Sequence, residues 1–383
     1  MELQQFISPC HFGMEAILKR EIYDLGYDIV KVEDGRVTYE GDMETICRAN
    51  IHLRTTERVL LKVGEFHAET FDELFEAVKA IPWEDYLPVD AKFWVTKASS
   101  VKSKLFSPSD IQSIVKKAIV ERLKTYYEVN WFEETGASYP LRIFLNKVTI
   151  GIDTSGESLH KRGYRVLSSK APITETLAAA MILLTPWKAD RILVDPFCGS
   201  GTIPIEAAMI AANIAPGMNR TFTAQTWTNL IPTELWNDCF DEAKELVNTD
   251  IATNIQGYDI DGEIIRAARD NAKRAGVDHL IHFQQRPVSE LKNPKKYGFV
   301  ITNPPYGERL EEKAALPKLY HEIGEAFAGL DCWSEYLITS YEDTERSIGK
   351  KADKKRKIYN GMLRTNLYQY IGPKPPRRKQ TEE

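Results

Sequence analysis

The chain has 383 residues and a formal net charge of −5, with 43% of the residues hydrophobic and 27% charged. Its length predicts roughly two or three domains, and its composition excludes a disordered or collagen-like chain. No apolar run reaches the roughly 18 residues of a membrane-spanning helix, and Met1–Pro9 lacks the basic and apolar regions of a secretion signal. We therefore expect a cytoplasmic protein without a membrane partner.

The cysteines and histidines follow no metal or disulfide pattern. The five cysteines are odd in number and contain no C-x-x-C pair. The seven histidines contain no H-E-x-x-H sequence. A disulfide framework, a structural zinc site and metal catalysis are therefore not predicted.

Residues 1–65 are predicted to form a small α+β unit. Asp34-Gly35 lies between two short β-prone segments, which is a strong hairpin signal. The apolar residues of Met14–Leu25 recur near helical period, and Gly26 follows them as expected at the end of a helix. The expected strands are Gln4–Ser8, Val30–Glu33, Arg36–Glu40 and Arg58–Glu65, and the second expected helix is Asp42–Asn50.

Residues 66–158 are predicted to form a second α+β unit, which ends in the polar stretch Thr154–Ser158. Ser109 or Asp110 is expected to cap its longer helix, which runs to Tyr126. The other expected elements are a helix at Phe71–Ala80, strands at Lys92–Ala98, Leu141–Leu145 and Lys147–Asp153, and a turn at Asn146. Basic residues concentrate in Lys92–Lys124 and again in Gly349–Lys379. Such runs can steer a polyanion, although they also occur as plain solvated faces.

From about Lys170 onwards apolar strands alternate with helices, which predicts a doubly wound, mostly parallel sheet. The strands are expected at Arg191–Asp195, Ile255–Asp259, Ile281–Gln284, Gly298–Thr302 and Glu335–Thr339. The helices are expected at Thr174–Leu184, Ile203–Asn213, Asp261–Ala275 and Leu316–Leu330. A hairpin at Asn360-Gly361 would add antiparallel strands at one edge.

The first chemical motif follows the first of these strands and opens a helix. It consists of Asp195, Pro196, Phe197, Cys198, Gly199, Ser200, Gly201 and Thr202. Its glycines and free N–H groups suit a nucleotide-type ligand. No lysine follows Gly201, which excludes a Walker loop, and Pro204 stands where a dinucleotide fingerprint has its third glycine. Asp195 would repel pyrophosphate but attract the ammonium group of S-adenosylmethionine. Cys198 is expected to pack beside this cofactor rather than to act as a nucleophile.

The second motif is Asp259, Ile260 and Asp261, at the end of the second strand. In this position Asp259 can accept hydrogen bonds from both ribose hydroxyls of the cofactor. Either aspartate can instead cap the following helix, and Asp261 is better placed to do so. The segment between the two motifs is long because Ala215–Asp250 is inserted there.

The third motif is Asn303, Pro304, Pro305 and Tyr306, which directly follows the strand around Phe299–Ile301. The exocyclic amine of a nucleobase is a poor nucleophile because its lone pair is delocalised into the ring. The side-chain oxygen of Asn303 and the carbonyl of Pro304 would accept its two hydrogens and localise that lone pair. The prolines hold the acceptors rigidly, and Tyr306 can stack on a base taken out of its helix. The motif therefore predicts methyl transfer to an exocyclic amine.

The three motifs in this order resemble the class I S-adenosylmethionine-dependent methyltransferases that act on amines. Other segments are similar to the THUMP-domain RNA methyltransferases, and in particular to the bacterial family that methylates guanine N2 in large-subunit ribosomal RNA. These segments are Leu159–Arg165, Lys170–Ile173 with Glu175–Ala179, Ala215–Arg220 and Asn303–Leu310. That family is often labelled, from its Asn-Pro-Pro-Tyr motif, as adenine-specific DNA methylases. The resemblance covers nearly the whole chain.

The resemblance implies a fold class, a cofactor and a partner. The expected fold is α/β: a Rossmann-like methyltransferase domain over residues 159–383, preceded by a ferredoxin-like unit over 1–65 and a THUMP RNA-binding domain over 66–158. The cofactor would be S-adenosylmethionine, with Pro172, Thr174 and Glu175 beside it. The partner would be RNA, contacted by Lys97, Lys102, Lys104, Lys116, Lys117, Arg162 and Arg165.

One position departs from the family pattern. An acidic residue that contacts the adenine amine of the cofactor is usual after the third strand, whereas this chain has Pro287 there. We expect either a weaker affinity for the cofactor or a backbone carbonyl that substitutes for the acid. Two other functions stay open: methylation of adenine N6 in RNA or DNA, and RNA binding without catalysis.

Overall fold

The computed structural model describes residues 3–99, 104–145, 147–166, 173–307, 310–361 and 363–376. Its strands are β1 (Gln4–Pro9), β2 (Asp28–Glu33), β3 (Arg36–Gly41), β4 (Leu60–Phe66), β5 (Lys92–Ser99), β6 (Ser138–Phe144), β7 (Val148–Asp153), β8 (Leu193–Asp195), β9 (Ile255–Asp259), β10 (Ile281–Gln285), β11 (Phe299–Thr302), β12 (Ser334–Thr339), β13 (Lys354–Asn360) and β14 (Leu363–Tyr370). Its helices are α1 (Glu15–Asp24), α2 (Glu44–His52), α3 (Phe71–Ala80), α4 (Pro108–Tyr127), α5 (Glu175–Leu184), α6 (Thr202–Ala211), α7 (Thr233–Glu245), α8 (Gly262–Arg274), α9 (Leu310–Ala328) and α10 (Thr344–Ile348).

The chain forms two compact units, each built from more than one segment. The first unit comprises Met1–Cys10, Leu18–Leu159 and Pro216–Glu245. The second unit comprises His11–Ile17, His160–Ala215 and Leu246–Glu383. Most of the segment expected as an insertion in the methyltransferase domain therefore clusters with the first unit. The domain boundaries inferred from the sequence stay a prediction.

The first unit contains one seven-stranded sheet with the order β2-β3-β1-β4-β7-β6-β5. The two small units expected from the sequence share this sheet, because β4 of one pairs antiparallel with β7 of the other. The strands β5 and β6 are parallel, and the helix α4 connects them in the chain. The helix α3 begins with a capping box between Thr70 and Glu73.

Two helix starts expected from the sequence were wrong. The helix α4 begins at Pro108 with Ser107 at its N-cap, not at a cap formed by Ser109 or Asp110. Proline suits the first helical position because its missing N–H would be unpaired there anyway. The helix α9 begins at Leu310 rather than at Leu316 and contains Pro317 in its interior.

Aromatic residues of Pro216–Glu245 pack within the first unit. The ring of Trp227 stacks on Tyr139 of β6 at 4.8 Å between centroids, and its Nε1–H donates to the carbonyl of Ser138 over 2.8 Å. Phe222 stacks on Trp236 of α7 at 5.4 Å. This burial of large apolar rings explains why the segment joins that unit.

The second unit contains a seven-stranded sheet with the order β10-β9-β8-β11-β12-β14-β13. The strands from β10 to β12 are parallel, and the hairpin of β13 and β14 adds antiparallel strands at one edge, as predicted. The chain order reverses between the neighbours β8 and β11. Ligands of doubly wound sheets bind at the carboxyl ends of the strands beside such a reversal.

Helices cover both faces of this second sheet. Leu193 and Ile301 pack in a core with α5, α6 and α8. Their neighbours Val194 and Val300 pack on the opposite face against α9. Side chains of a strand alternate between faces, so these apolar runs are buried on both sides. The predicted doubly wound fold is confirmed. No helix in the described part of the chain is long and apolar enough to cross a membrane.

Candidate active site

A cavity of about 910 Å³ in the second unit brings the three motifs together. Residues of Asp195–Ser200, Thr202, Asp259–Asp261 and Asn303–Tyr306 line it, and so does Pro287. The cavity lies where β8, β9 and β11 end, as the position of the chain reversal requires. Residues not anticipated from the sequence complete the wall, namely Ile264, Val288, Ala315, Leu316, Leu319 and Glu322. None of them belongs to a motif, so no sequence signal distinguished them.

The glycine loop is held by hydrogen bonds from its backbone N–H groups to the next strand. The N–H of Cys198 donates to the carbonyl of Tyr258 over 2.8 Å, and the N–H of Gly199 donates to Asp259 Oδ2 over 3.1 Å. Gly201 caps α6 with a φ of +88°, and a Cβ there would lie 3.0 Å from the ring of Phe283. Only glycine adopts this turn without strain. The loop therefore leaves its backbone next to the cavity.

The Cys198 thiol is poorly suited to nucleophilic chemistry. The residue is buried, and burial raises the pKa of its thiol well above the ordinary value. A thiolate is the reactive form of cysteine, so a raised pKa disfavours attack on a substrate. This environment supports the expected packing role.

Asp195 is a buried carboxylate with only 1% of its surface exposed. Its Oδ1 accepts hydrogen bonds from the hydroxyl of Thr302 over 2.6 Å and from the N–H of Phe197 over 3.1 Å. Burial outweighs these bonds and raises the pKa of Asp195 to about 7. Burial removes the water that would solvate the ionised carboxylate of Asp195. Binding of a cation beside this carboxylate would therefore be strongly favoured.

The two aspartates of the second motif have different partners. Asp259 accepts from Gly199 through one oxygen and from the N–H of Asp261 over 3.0 Å through the other. Burial raises the pKa of Asp259. Asp261 caps α8 by accepting from the N–H of Glu263 over 2.8 Å, as the helix-cap interpretation predicted. The role of Asp259 towards a ribose stays a prediction.

The third motif forms a short rigid segment after β11. Asn303 and Tyr306 are half-buried, and the Tyr306 hydroxyl donates to Asn303 Oδ1. The oxygen predicted to accept from a base amine is therefore already oriented as an acceptor. The carbonyl of Pro305 accepts from the hydroxyl of Tyr320 over 3.2 Å, and that hydroxyl lies 2.5 Å from Thr339 Oγ1. Tyr320 on α9 thus supports the motif, although its position in the sequence gave no sign of this role.

The segment before α5 lies beside the cavity only in part. Ile173 lines the cavity, whereas Thr174 and Glu175 do not, and Pro172 lies outside the described residues. Thr174 Oγ1 lies 3.2 Å from His11 Nε2. Glu175 is buried, with Oε1 2.9 Å from Arg165 Nε, and burial raises its pKa.

The two arginines expected to contact RNA make internal bonds. Arg165 donates to the carbonyl of Ile173 over 2.9 Å and to Thr202 Oγ1 over 2.7 Å. The side chain of Arg162 is 1% exposed, and its Nε lies 3.5 Å from Glu206 Oε1. At this exposure the guanidinium presents almost no surface to an RNA phosphate. The burial of Arg162 thus argues against the predicted RNA contact and assigns it to the interior.

The lysines expected to contact RNA all belong to the first unit. Lys97 and Lys117 are exposed. Lys104 and Lys116 form ion pairs with Glu69 and Glu134, at 2.5 Å and 3.2 Å. These carboxylates neutralise part of the positive charge. Lys102 lies outside the described residues.

Within the described ranges, no cluster of three or more His, Cys, Asp or Glu side chains is arranged to hold a metal ion. The cavity instead combines acidic groups, a glycine loop and the Asn-Pro-Pro-Tyr segment. Buried acids suit the ammonium and hydroxyl groups of a nucleoside-type ligand.

Three family models match the chain. The RlmL ferredoxin-like domain matches residues 5–60 and the THUMP domain matches residues 68–153. The family described as RMKL-like, methyltransferase domain, matches residues 162–369, which is more than half of the chain.

Curated relatives cover all or nearly all of the chain. "Putative RNA methyltransferase YpsC" of Bacillus subtilis (strain 168) is 49% identical, over 100% of both chains. "Ribosomal RNA large subunit methyltransferase K/L" of Cellvibrio japonicus is 32% identical over 96% of this chain and 51% of that protein. The chain therefore spans all of the first relative but about half the length of the second.

Solved structures share the fold over nearly the whole chain. A "possible methylase" from Clostridium difficile 630 has 55% identity and a TM-score of 0.95, covering 98% of this chain and 100% of that one. A "predicted N6-adenine-specific DNA methylase" from Listeria monocytogenes has 51% identity and a TM-score of 0.91, covering 97% of each chain. SMU.472, "a putative methyltransferase complexed with SAH", has 44% identity and a TM-score of 0.91, covering 98% of this chain and 100% of that one.

These matches confirm the fold, the enzyme class and the cofactor class expected from the sequence. The chain belongs to the RMKL-like methyltransferase family and is an S-adenosylmethionine-dependent methyltransferase with ferredoxin-like and THUMP domains.

Proposed function

We propose that the enzyme methylates guanine N2 in large-subunit ribosomal RNA. The observation that carries this proposal is the single cavity lined by the glycine loop, Asp259 and the Asn303–Tyr306 motif. The THUMP domain and the ribosomal RNA methyltransferase K/L relatives support an RNA substrate. As ribosomal RNA is made in the bacterial cytoplasm, we expect the enzyme to act there.

The acidic residues of the cavity fit S-adenosylmethionine. When bound, this cofactor supplies an electrophilic methyl group on a positively charged sulfur. Asp195 would face its ammonium group, since a buried carboxylate with a raised pKa gains most from a cation. Asp259 would accept from the ribose hydroxyls, and the backbone around Gly199 would contact the remaining polar atoms. Pro287 lines the same cavity in place of the usual acid.

The Asn303–Tyr306 motif would bind the base. Asn303 Oδ1 and the Pro304 carbonyl would accept the two amine hydrogens, which orients the nitrogen lone pair towards the methyl group. Tyr306 would stack on the flipped base. The proton lost from the amine after transfer would leave to water. Most of the acceleration would come from proximity and orientation, which need no side-chain base.

Two other functions are outcomes of the same test. The acceptor pair serves an adenine N6 amine equally well, and the Listeria structure is described as an adenine-specific DNA methylase. RNA binding without catalysis would require a degenerate cofactor site, whereas here all three motifs line one cavity.

The proposal is tested with tritiated S-adenosylmethionine and RNA from a strain that lacks this gene. We expect label in N2-methylguanosine of the large ribosomal RNA, identified by mass spectrometry of digested nucleosides. Label in N6-methyladenosine would keep the mechanism but overturn the substrate. No label in naked RNA or in ribosomal assembly intermediates, despite cofactor binding by calorimetry, would overturn the enzymatic function.

Asn303→Ala separates binding from chemistry. Loss of one preorganised polar contact to a transition state typically reduces the rate by about 100-fold or more. We expect at least this loss, with the affinity for S-adenosylmethionine nearly unchanged. Asn248→Ala, at an exposed position of the same unit outside the cavity, is the matched control. Full turnover by the Asn303 variant would contradict the assigned role.

A further inference from the structure

The hairpin of β13 and β14 carries a group of cations outside the cavity. Lys355, Lys357 and Tyr359 alternate along β13 and so lie on one face of the strand. Arg364 is directly opposite Tyr359 in the register and shares that face. We call these four residues the hairpin face. The three cationic residues are exposed and Tyr359 is half-buried.

The cations of the hairpin face lack an acidic partner among the side chains that the structure describes. Within this described set, which does not include the side chains of residues 310–312, no carboxylate lies within ion-pair distance of Lys355, Lys357 or Arg364. Lys355 instead lies 4.6 Å from the ring centroid of Tyr368, and Lys357 lies 5.1 Å from that of Tyr359. This differs from the first unit, where carboxylates pair with some of the lysines expected to bind RNA. No described carboxylate therefore neutralises the charge of the hairpin face.

The strand register places the hairpin face near the carboxyl ends of the parallel strands, where the cavity opens. Thr339, the last residue of β12, pairs with Asn366, which in turn pairs with Lys357. Tyr359 lies two residues further along β13, or about 7 Å beyond this level. Since β12 is parallel to β11, the carboxyl ends of both strands lie on the same side of the sheet, and Asn303 follows the end of β11 there.

The distance from β11 to β13 across the sheet can be compared with the phosphate spacing of a nucleic-acid strand. Three strand spacings of about 4.8 Å separate β11 from β13, which is roughly 14 Å. A nucleic-acid strand in a duplex has a phosphate about every 3.4 Å along its axis. At this duplex-like spacing, an RNA strand with one base in the cavity would have phosphates about four nucleotides away at the hairpin face.

An aromatic pair lies beside these cations. Phe12 packs edge-on against Tyr359 with centroids 6.3 Å apart, and it is 40% exposed. The ring nitrogen His11 Nδ1 lies 3.1 Å from the carbonyl of Tyr359 and holds this segment at the hairpin. Exposed rings next to cations are typical of surfaces that bind single-stranded nucleic acid.

We infer that the hairpin face is an RNA-binding surface of the methyltransferase domain, which contacts phosphates on one side of the target base. This inference rests on the proposed RNA substrate and adds a site to it. Lysines on an edge strand also discourage pairing between sheet edges, a role that needs no RNA.

The triple variant Lys355→Ala, Lys357→Ala, Arg364→Ala tests the inference. Its matched control is Lys188→Ala, Lys292→Ala, Lys295→Ala, which removes the same charge from exposed residues that precede β8 and β11 at the opposite edge. The probe is unmodified large-subunit ribosomal RNA made by transcription, and its affinity is measured by fluorescence anisotropy between 0.05 and about 0.3 M salt.

The loss of three phosphate contacts should reduce the magnitude of the slope of log K against log salt by about 2. At 0.15 M salt this corresponds to an affinity lower by about 50-fold. The control should bind like the unmodified enzyme. Calorimetry should give the same affinity for S-adenosylmethionine in both variants, which shows that the fold is retained. Lys355→Arg with Lys357→Arg should keep the RNA affinity, because the charge remains.

RNA affinity of the triple variant equal to that of the unmodified enzyme would overturn the inference and leave only the edge-protecting role. Equal losses in both variants would also overturn it, since they would reflect net charge alone. Absence of RNA binding and of methylation by the unmodified enzyme would instead refute the proposed function. The two failures are therefore distinguishable.

Discussion

Asp195→Asn allows a direct test of the electrostatics of the cofactor site. In the folded protein, burial raises the pKa of Asp195 to about 7, from an ordinary value of 3.8. Asparagine keeps an oxygen that can accept from Thr302 and from the N–H of Phe197. The variant therefore removes the charge while retaining the hydrogen bonds.

The sign of the effect follows from the two pKa values. Between pH 3.8 and 7 the folded protein holds a proton on Asp195 that the unfolded chain has lost. The contribution of protonated Asp195 to the free energy of unfolding is therefore fully present below pH 3.8 and is lost as the pH rises to about 7. Within this window the contribution of Asp195 to the free energy of unfolding falls by about 1.4 kcal/mol for each pH unit. From pH 5 to pH 8, Asp195→Asn should gain roughly 3 kcal/mol in free energy of unfolding relative to the unmodified enzyme.

Urea unfolding of both proteins at pH 5 and pH 8, without cofactor, measures this difference. Other titrating groups cancel because they are common to the two proteins. A difference that stays constant between the two pH values would show that Asp195 titrates normally and would refute the argument from burial.

The same substitution should weaken cofactor binding. Loss of a charge-assisted hydrogen bond costs about 1.5–3 kcal/mol, or roughly 10- to 100-fold in affinity for S-adenosylmethionine. A cation beside Asp195 favours the ionised carboxylate, so binding at pH 6 should release a proton from the unmodified enzyme. Calorimetry in two buffers of different ionisation enthalpy measures this release. Equal affinity and equal proton release in Asp195→Asn would rule out the contact with the ammonium group.

Three further substitutions test the supports of the cavity. Gly201→Ala should cost about 1–3 kcal/mol because it forces alanine into a positive φ, and denaturant unfolding with no change in midpoint would contradict this. Arg162→Met should destabilise the protein by about 3–5 kcal/mol, because the buried Glu206 carboxylate loses its cation and keeps, in the described part of the chain, only the hydrogen bond from the Tyr164 hydroxyl. Adding Glu206→Met should recover most of this loss, and failure to recover it would refute the ion pair. Tyr320→Phe removes the hydroxyl that donates to the carbonyl of Pro305. We expect a loss of about 1 kcal/mol in stability and slower methyl transfer with unchanged cofactor affinity. An unchanged transfer rate would show that Tyr320 does not support the motif.

Short-range patterns in the sequence were sufficient to predict most elements and the main site. The hairpin at Asn360-Gly361, the cap at Asp261 and the glycine loop each depend on residues that are neighbours in the chain. The alternation of apolar strands and helices predicted the doubly wound sheet, because a parallel sheet needs helices on both faces. The carboxyl ends of its strands then had to share one edge, which brought the three motifs together.

Contacts between distant parts of the chain were decided by the tertiary structure. The pairing of β4 with β7 joins the two small units into one sheet, and Trp227 buries its ring on that sheet rather than in the methyltransferase domain. Arg162 is an ordinary basic residue in the sequence, yet it lies in the interior beside Glu206. Such outcomes depend on which surfaces fit together, and a single chain contains many apolar and charged residues of equal local propensity. Local chemistry thus determined the reaction that this protein can perform, and packing determined which side chains are free to contact its substrate.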